Sequence, residues 1–318
     1  MSTPELLVSI VIPCRDGAAT LAETLSSALT QDEDALEVIV VDDGSSDGSR
    51  ALALAVAGED GRVRVMDGPR RGVSAARNAG ASAARAEVLM FLDADDHLTP
   101  QAVDRYLSFL RSHPRVVACF GRVAFMTADG QDTGRRSTVP GDPLTLGDVL
   151  GDNPACTGSN LVVRREAWAR VGGFDETLSH AEDQEWLARA VCRGDGEVRG
   201  VDATTVWYRL GRGGLSADLN AMAQGWERLC ARFATADPDQ AVLLRHARAR
   251  HRRYLARQAL RSGGRRFQAL AFMLDAVRSH PALATREPRR TLLTLAAALV
   301  MAVVPRGLGE TLFARHGL

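Results

Sequence analysis

Three short acidic clusters carry most of the chemistry that this chain could perform. Asp42 and Asp43 lie in VVDDGSSDGS (40–49), Asp93, Asp95 and Asp96 in FLDADDHL (91–98), and Glu182 and Asp183 in HAEDQEWLARA (180–190). The first pair follows an apolar run, with Gly44 and the Ser and Asp residues supplying a tight turn and helix-cap chemistry. The second cluster also follows an apolar run, and three carboxylates so close repel one another unless a cation joins them. Hard oxygen ligands of this kind suit Mg²⁺ or Mn²⁺, held through one or two carboxylates while substrate phosphates complete the shell. An acidic cap ahead of Thr99-Pro100 accounts for Asp96 better than for Asp93 and Asp95. In the third cluster Glu182 and Asp183 open a helix whose Trp186, Leu187 and Ala190 mark a buried face. Acids in a first turn are ordinary complements of the helix dipole, so this cluster gains meaning only from its context.

The elements that must position these acids alternate along the first hundred residues. Strands are predicted at Val8–Ile12, Glu37–Val41, Val63–Met66 and Val88–Leu92, with helices over Ala18–Leu29, Gly48–Ala57 and Ser74–Arg85. This is the pattern of βαβ units around a mostly parallel sheet flanked by helices. Such sheets bind ligands beyond the carboxyl ends of their strands, which gathers Pro13–Gly17, Asp42–Ser49 and Asp93–Asp96 at one edge. Further on come a strand and a polar hairpin around Asp129-Gly130, a strand at Leu161–Val163 ahead of Arg164–Val171 and the turn Gly172-Gly173, a helix at Glu182–Cys192, and a strand at Val206–Leu210. After Ser216 the strand signals stop. The remainder reads as a helical appendage interrupted at Pro238, Gly263-Gly264, Pro281, Pro288 and Pro305.

Composition excludes several classes. In 318 residues, 46% are hydrophobic and 25% charged, which rules out disorder and a collagen-like repeat. Basic and acidic residues balance at 39 each, so no nucleic-acid partner is expected. Every basic residue other than His is Arg. Residues 241–318 hold 15 of them against Asp275, Glu287 and Glu310, while residues 1–240 are correspondingly acidic. The five cysteines are scattered, with no CxxC and no Cys/His cluster, so neither a disulfide framework nor a zinc site is indicated and a reducing cytoplasm fits. The N-terminal stretch lacks a basic region and a cleavage site, and reads as a first strand. The longest apolar run, Thr291–Val304, is 14 residues, short of the ~20 that a bilayer crossing needs.

Taken in order, VSIVIPCRDGAATLAETL, VVDDGSSDGS, GVSAARNAG, FLDADD, RVGGFDETL and AEDQEW resemble the family 2 glycosyltransferases, inverting enzymes of the GT-A fold, over about residues 6–216. The resemblance implies a glycosyltransferase domain over 1–216 and a helical region over 217–318. It implies that Pro13 and Asp43 hold the uracil of a UDP-sugar, that Arg77 approaches the nucleotide or diphosphate or else forms an internal salt bridge, and that Asp93 and Asp95 form a DxD pair. Within that pair Asp95 is the metal ligand and Asp93 lies nearer the ribose. Asp183 matches the catalytic base, with Glu182 beside it, and His97 and His180 are loop residues. One base opposite the leaving group implies inversion, since retention would need a second, nucleophilic carboxylate.

Departures from the family pattern bear on substrate. No QxxRW follows Asp183, which favours transfer of one sugar over polymerisation. Gly211 stands where many relatives carry a His, leaving Arg209 or Arg212 either as substitutes or in structural roles. The loop Asn153–Asn160 is expected to approach the acceptor, a saccharide or a lipid-linked molecule of the cell envelope. The Arg-rich end, with Arg286–Arg290 directly before the apolar run, suits peripheral contact with the inner face of the cell membrane, or packing on the acidic domain. A catalytically silent nucleotide-sugar-binding or scaffold protein on this fold would be expected to lose the acids, yet all are present. A nucleotidyltransferase lacks its Gly-rich loop here, and Pro13-Cys14-Arg15-Asp16-Gly17 is not the GxGxxG of a dinucleotide oxidoreductase.

Overall fold

A computed structural model describes residues 7–178, 180–211, 218–235, 237–261 and 267–303. It divides into a sheet unit, Met1–Leu144 with Pro154–Gly211, and a helical unit, Thr145–Asn153 with Arg212–Leu318. Arg212, Gly263, Gly264 and Pro305 lie outside the described residues.

The sheet unit begins β1 (Val8–Cys14), α1 (Leu21–Leu29), β2 (Leu36–Asp42), α2 (Ser49–Glu59), β3 (Val63–Asp67), α3 (Val73–Ala83) and β4 (Val88–Phe91). All seven residues of β1 and of β2 are buried, as expected of strands covered by helices on both faces. The chain continues through β5 (His97–Leu98), α4 (Ala102–Ser112), β6 (Val116–Met126) and β7 (Asp132–Arg136). It closes with β8 (Val162–Arg164), α6 (Arg165–Val171), α7 (Glu182–Arg193) and β9 (Glu197–Arg209). The strand order is β3-β2-β1-β4-β8-β6-β9-β5, with β7 paired to β6 outside that path. β1 to β4 are mutually parallel, β6 and β9 run with them, and β8, β5 and β7 run against. The sheet is therefore mostly parallel, as the alternating pattern predicted, with β8 as an antiparallel insertion.

Pro13 is tolerated inside β1 for a geometric reason. β4 pairs with β1 only as far as Val11, whereas β2 continues to Cys14, whose carbonyl accepts from the Asp43 N–H at 2.8 Å. Successive strand residues point their amides to opposite sides, so the N–H that Pro13 lacks would face the side where β4 has ended.

The helical unit contains α5 (Leu146–Asp152), α8 (Leu219–Arg232), α9 (Pro238–Arg261), α10 (Gln268–Ser279), α11 (Leu283–Arg286) and α12 (Pro288–Val303). Pro238 and Pro288 open helices, where a missing N–H costs nothing. The core joins Leu219, Leu255, Met273, Leu283 and Ala298. Trp226 donates from Nε1 to the Leu150 carbonyl at 2.7 Å, which ties α5 to α8.

Two elements extend what the sequence reading assigned. The stretch Ala102–Ser112 is a helix that buries Val103, Tyr106, Leu107 and Leu110, and β9 begins at Glu197 rather than at Val206 because its first half pairs in parallel with β6 through irregular register.

Candidate active site

The carboxyl ends of β1, β2 and β4 carry the first two acidic clusters. At the end of β2, Asp42 Oδ1 accepts from the Ser45 N–H at 3.1 Å. Asp43 is buried, and its two carboxylate oxygens accept from the N–H of Arg70 at 2.6 Å and of Gly72 at 2.9 Å. That loop passes so close that a Cβ on Gly68 would stand 2.8 Å from Asp43 Oδ1, so a side chain there would force the loop off the carboxylate. Asp43 thus shapes the wall beside the buried Pro13, the place the resemblance gives to the base.

After β4 the three acids of FLDADD take three different positions. Asp93 is partly exposed, and its N–H donates to the Ser159 hydroxyl at 3.0 Å. Asp95 is exposed. Asp96 is fully buried, accepting from the Ser159 hydroxyl at Oδ2 and from the Arg209 N–H at Oδ1, 3.0 Å away. The reading of Asp96 as a helix cap is therefore corrected: the following helix starts at Ala102 with Gln101 as its cap, and Asp96 instead pins the loop to β9. Burial, then the charges of Asp95 and Asp93, hold the Asp96 carboxyl well above the usual carboxylate range. Desolvation, then Asp93, pushes Asp95 up to about 6.

Arg209 occupies the other side of this loop. Its Nε donates to the Asp95 carbonyl at 3.0 Å, Nη1 to the Ala128 carbonyl at 3.0 Å, and Nη2 to Glu23 at 2.8 Å. These bonds occupy the guanidinium as a loop anchor, the structural of the two roles open to it. His97 is not a loop residue but part of β5, opposite Trp207, with Nε2 3.1 Å from Glu23. Burial, then Arg209, holds its imidazole below the usual value.

Arg77 connects the second cluster to the third. It is 3% exposed on α3, and its guanidinium donates from Nη2 to Asp93 Oδ1 at 2.5 Å and from Nη1 to Glu182 Oε1 at 2.7 Å. Burial alone would depress this guanidinium, but Asp93 and Glu182 more than offset it and raise its pKa. The next residue, Asn78, exchanges two hydrogen bonds with the backbone of Phe174 in the GGFDE turn, 2.9 and 2.8 Å. One helix therefore grips the metal-type acids, the start of α7 and the turn that leads to it. Asp183, also buried, follows Glu182 in the first turn of α7, and its Oδ1 accepts from the Gln184 N–H at 2.7 Å.

Residues that the sequence reading did not single out support this arrangement. Ser159, in the turn Gly158–Asn160, bridges Asp93 and Asp96, and Asn160 Oδ1 accepts from the Tyr106 hydroxyl at 2.7 Å and the Gly121 N–H at 3.0 Å. This half of the loop expected near the acceptor is a buried brace beneath FLDADD. Its one sequence signal is a run of small polar residues directly before a short apolar strand.

Among the described residues no three His, Cys, Asp or Glu side chains converge on a metal cage. The donor set fits a different kind of divalent site: an exposed carboxylate at Asp95, raised toward neutrality beside Asp93, gives a hard cation one or two protein ligands and leaves the rest of its shell to phosphate and water.

Comparison with known proteins agrees with this geometry. The profile described as Glycosyl transferase family 2 matches residues 9–172, just over half of the chain. The succinoglycan biosynthesis protein ExoA of Rhizobium meliloti is 32% identical over 200 residues, covering 58% of this chain and 59% of that protein. The chain thus spans less than two thirds of the length of the curated relatives it matches. In fold it is similar to S. aureus TarS 1–349 in complex with UDP-GlcNAc, with a TM-score of 0.62, 16% identity, and coverage of 92% of this chain and 90% of that one. It is also similar to the mannosyltransferase PcManGT of Pyrobaculum calidifontis in complex with GDP-Man and Mn²⁺, with a TM-score of 0.59, 21% identity, and coverage of 99% and 89%. These neighbours share the GT-A arrangement of sheet and helices that the ordered motifs imply. The chain belongs to glycosyl transferase family 2.

Proposed function

We propose that this chain transfers one sugar from a nucleotide-diphospho-sugar, a UDP-sugar in first preference, to an acceptor hydroxyl with inversion at the anomeric carbon. Family membership supports the reaction class, and the observation that carries the finer reading is the Arg77 bridge. It binds Asp93 of the donor-side cluster and Glu182 of the α7 segment to one guanidinium, so the metal-type acids and Asp183 border one site. Asp183 lies beyond the residues matched to the family, and this bridge is what ties it to them.

In the proposed reaction Asp183 takes the proton of the acceptor hydroxyl as that oxygen bonds to the anomeric carbon. The bond from that carbon to the diphosphate oxygen breaks, and its electron pair leaves on the nucleoside diphosphate. Glu182, engaged by Arg77, orients the start of α7. Asp43 and Pro13 wall the base, and Asp93 faces the ribose. A divalent cation, Mg²⁺ or Mn²⁺, held by Asp95 would supply positive charge to the departing diphosphate. The polysaccharide-synthesis relative and the nucleotide-sugar complexes of the fold neighbours support a role in cell-envelope glycan or glycolipid synthesis, with a saccharide or lipid-linked acceptor.

Calorimetry of UDP and GDP binding, with Mg²⁺ or Mn²⁺ and again in excess EDTA, tests the donor side. The expected result is UDP affinity that depends on the cation and exceeds that for GDP. Equal affinity in EDTA, or a preference for the purine nucleotide, would overturn it. Product NMR from a panel of UDP-sugars reads the anomeric configuration, and a retained configuration would sink the inverting mechanism.

A further inference from the structure

Two sets of arginines in the helical unit differ in their partners. On α9, Arg248 and Arg252 pair with Glu227, Arg250 with Asp152 and Asp148, Arg252 also with Asp275, and Arg253 with Glu287. These charges are spent inside the unit. Arg278, Arg286, Arg289 and Arg290 are exposed, and their side chains form no ion pair among the described residues. Arg278 lies in the last turn of α10, and the other three surround the start of α12. α10 and α12 pack on one another across a short connection, so the four free charges share one end of that helix pair.

α12 is amphipathic in the reverse of the usual sense. It turns Thr291, Thr294, Ala297, Ala298 and Ala302 inward, with the Thr291 and Thr294 hydroxyls satisfied by the Glu287 and Arg290 carbonyls. Outward it presents Leu292 (57% exposed), Leu293 (49%), Leu299 (48%), Val300 (42%) and Val303 (75%). A contiguous apolar face of this kind, flanked by uncompensated charge, marks a surface that something covers. No helix among the described residues is long and apolar enough to cross a membrane, so the face is built to lie along a surface.

We propose that α12 docks in the interface of an anionic lipid surface, its leucines and valines entering the acyl boundary while Arg278, Arg286, Arg289 and Arg290 meet lipid phosphates. Charge decides between occupants. A second copy of the chain would bring the same four arginines to the contact, and the nearby acids Asp275 and Glu287 are already held by Arg252 and Arg253. Lipid phosphate supplies the missing negative charge in the geometry a guanidinium prefers. This inference is independent of the donor chemistry, since it is read by binding and not by turnover.

Flotation of the full chain with vesicles tests it, using phosphatidylcholine alone and equal parts phosphatidylcholine and phosphatidylglycerol. The chain should float with the anionic vesicles only and be released as salt rises. R286Q/R289Q/R290Q should lower partitioning by on the order of 10²-fold, roughly fivefold for each charge near the surface. L292S/L299S alters exposed positions only, and should lose vesicle binding while melting at the wild-type temperature. Failure of the intact chain to float, or flotation that neither variant changes, would overturn the proposal. So would sedimentation of the wild type as a dimer that L292S/L299S turns into a monomer without any vesicle binding, which assigns the face to a second copy.

Discussion

The loop after β4 and the helical unit treat their carboxylates in opposite ways. In the helical unit, burial alone would raise Asp148 and Glu287, but the Thr145 hydrogen bonds and Arg250 at the first, and Arg253 with Arg250 at the second, more than offset it and hold both below the usual range. In that loop, desolvation and the neighbouring Asp93 push Asp95 up to about 6, while burial and the charges of Asp95 and Asp93 hold Asp96 well above the usual range. Arg77 compensates Asp93 and Glu182, and the Arg209 guanidinium goes to Glu23 and to backbone carbonyls, so among the described residues no cation forms an ion pair with Asp95. The helical unit uses charge to hold itself together. The loop after β4 holds Asp95 and Asp96 with their ionised forms disfavoured, a condition that clusters at functional sites.

The sharpest way to break this comparison is at Asp183. Asp183→Asn should leave cation-dependent UDP binding intact while turnover falls by ~10²–10⁴-fold, the usual worth of a general base. Near-normal transfer by that variant would remove the base from this end of α7, because Glu182 is already committed to Arg77. Next comes a matched pair of buried arginines. Arg77→Met leaves Asp93 and Glu182 facing each other without a cation, and should cost about 3 kcal/mol of stability as well as donor affinity. Arg253→Met, in the helical unit, should lower the melting temperature but leave donor affinity and turnover per folded molecule unchanged. If Arg253→Met impaired turnover as strongly as Arg77→Met, the separation of roles between the units would fail.

How much of this was legible beforehand varies with the range of the interactions. The βαβ order was readable because β1, β2 and β4 are buried and so appear as largely apolar runs, interrupted only at Ser9, Glu37 and Asp42. α4 carries Val103, Tyr106, Leu107 and Leu110 at helical spacing, the helix that an acidic cap ahead of Thr99-Pro100 implies. The first half of β9 was invisible because polar and apolar residues mix along an irregular register. Asp96 looked like a cap since local sequence offers a helix ahead of it, whereas its partners Ser159 and Arg209 are 63 and 113 residues away. The acids themselves were legible by type and spacing. Their partners were not: the Arg77 bridge spans 16 residues to Asp93 and 105 to Glu182, and α5 joins helices that begin far along the chain.

A pH profile sharpens the comparison further. The folded pKa of Asp95 lies at about 6 against an ordinary 3.8, so its ionised form is the disfavoured one in the absence of a ligand. Between those values the folded state holds more protons than the unfolded one, and this group's contribution therefore makes the protein more stable as pH falls from about 6 toward 4. A cation bound at Asp95 competes with that proton. Cation-dependent UDP affinity should accordingly weaken as pH drops through about 6, and calorimetry across pH 5–8 should show the inflection. In Asp95→Asn the inflection should vanish along with most of the cation dependence.

The smallest effect is expected at Glu287, where the sign reverses. Its folded pKa lies below the ordinary 4.5, so its contribution to stability is fully present above that value and is lost as pH falls through the lowered one. Glu287 accepts from Arg253 Nη2 at 2.6 Å and lies 3.8 Å from Arg250, and its side chain is 26% exposed. Solvent screening therefore reduces the pair below the worth of a fully buried one, and Arg253 retains a hydrogen bond from Nη1 to the Thr291 hydroxyl when the carboxylate is removed. Glu287→Gln should cost about 1–2 kcal/mol near neutral pH, read as a lower melting temperature by calorimetry, and this deficit should shrink as pH falls below 4.5 through the lowered folded value, where the wild type loses the same interaction. Donor affinity should not move. A deficit that stays constant through that window would mean that the ion pair is not what holds α9 against α12, leaving that contact to the Arg253–Thr291 hydrogen bond and the packing of Leu255 and Ala298.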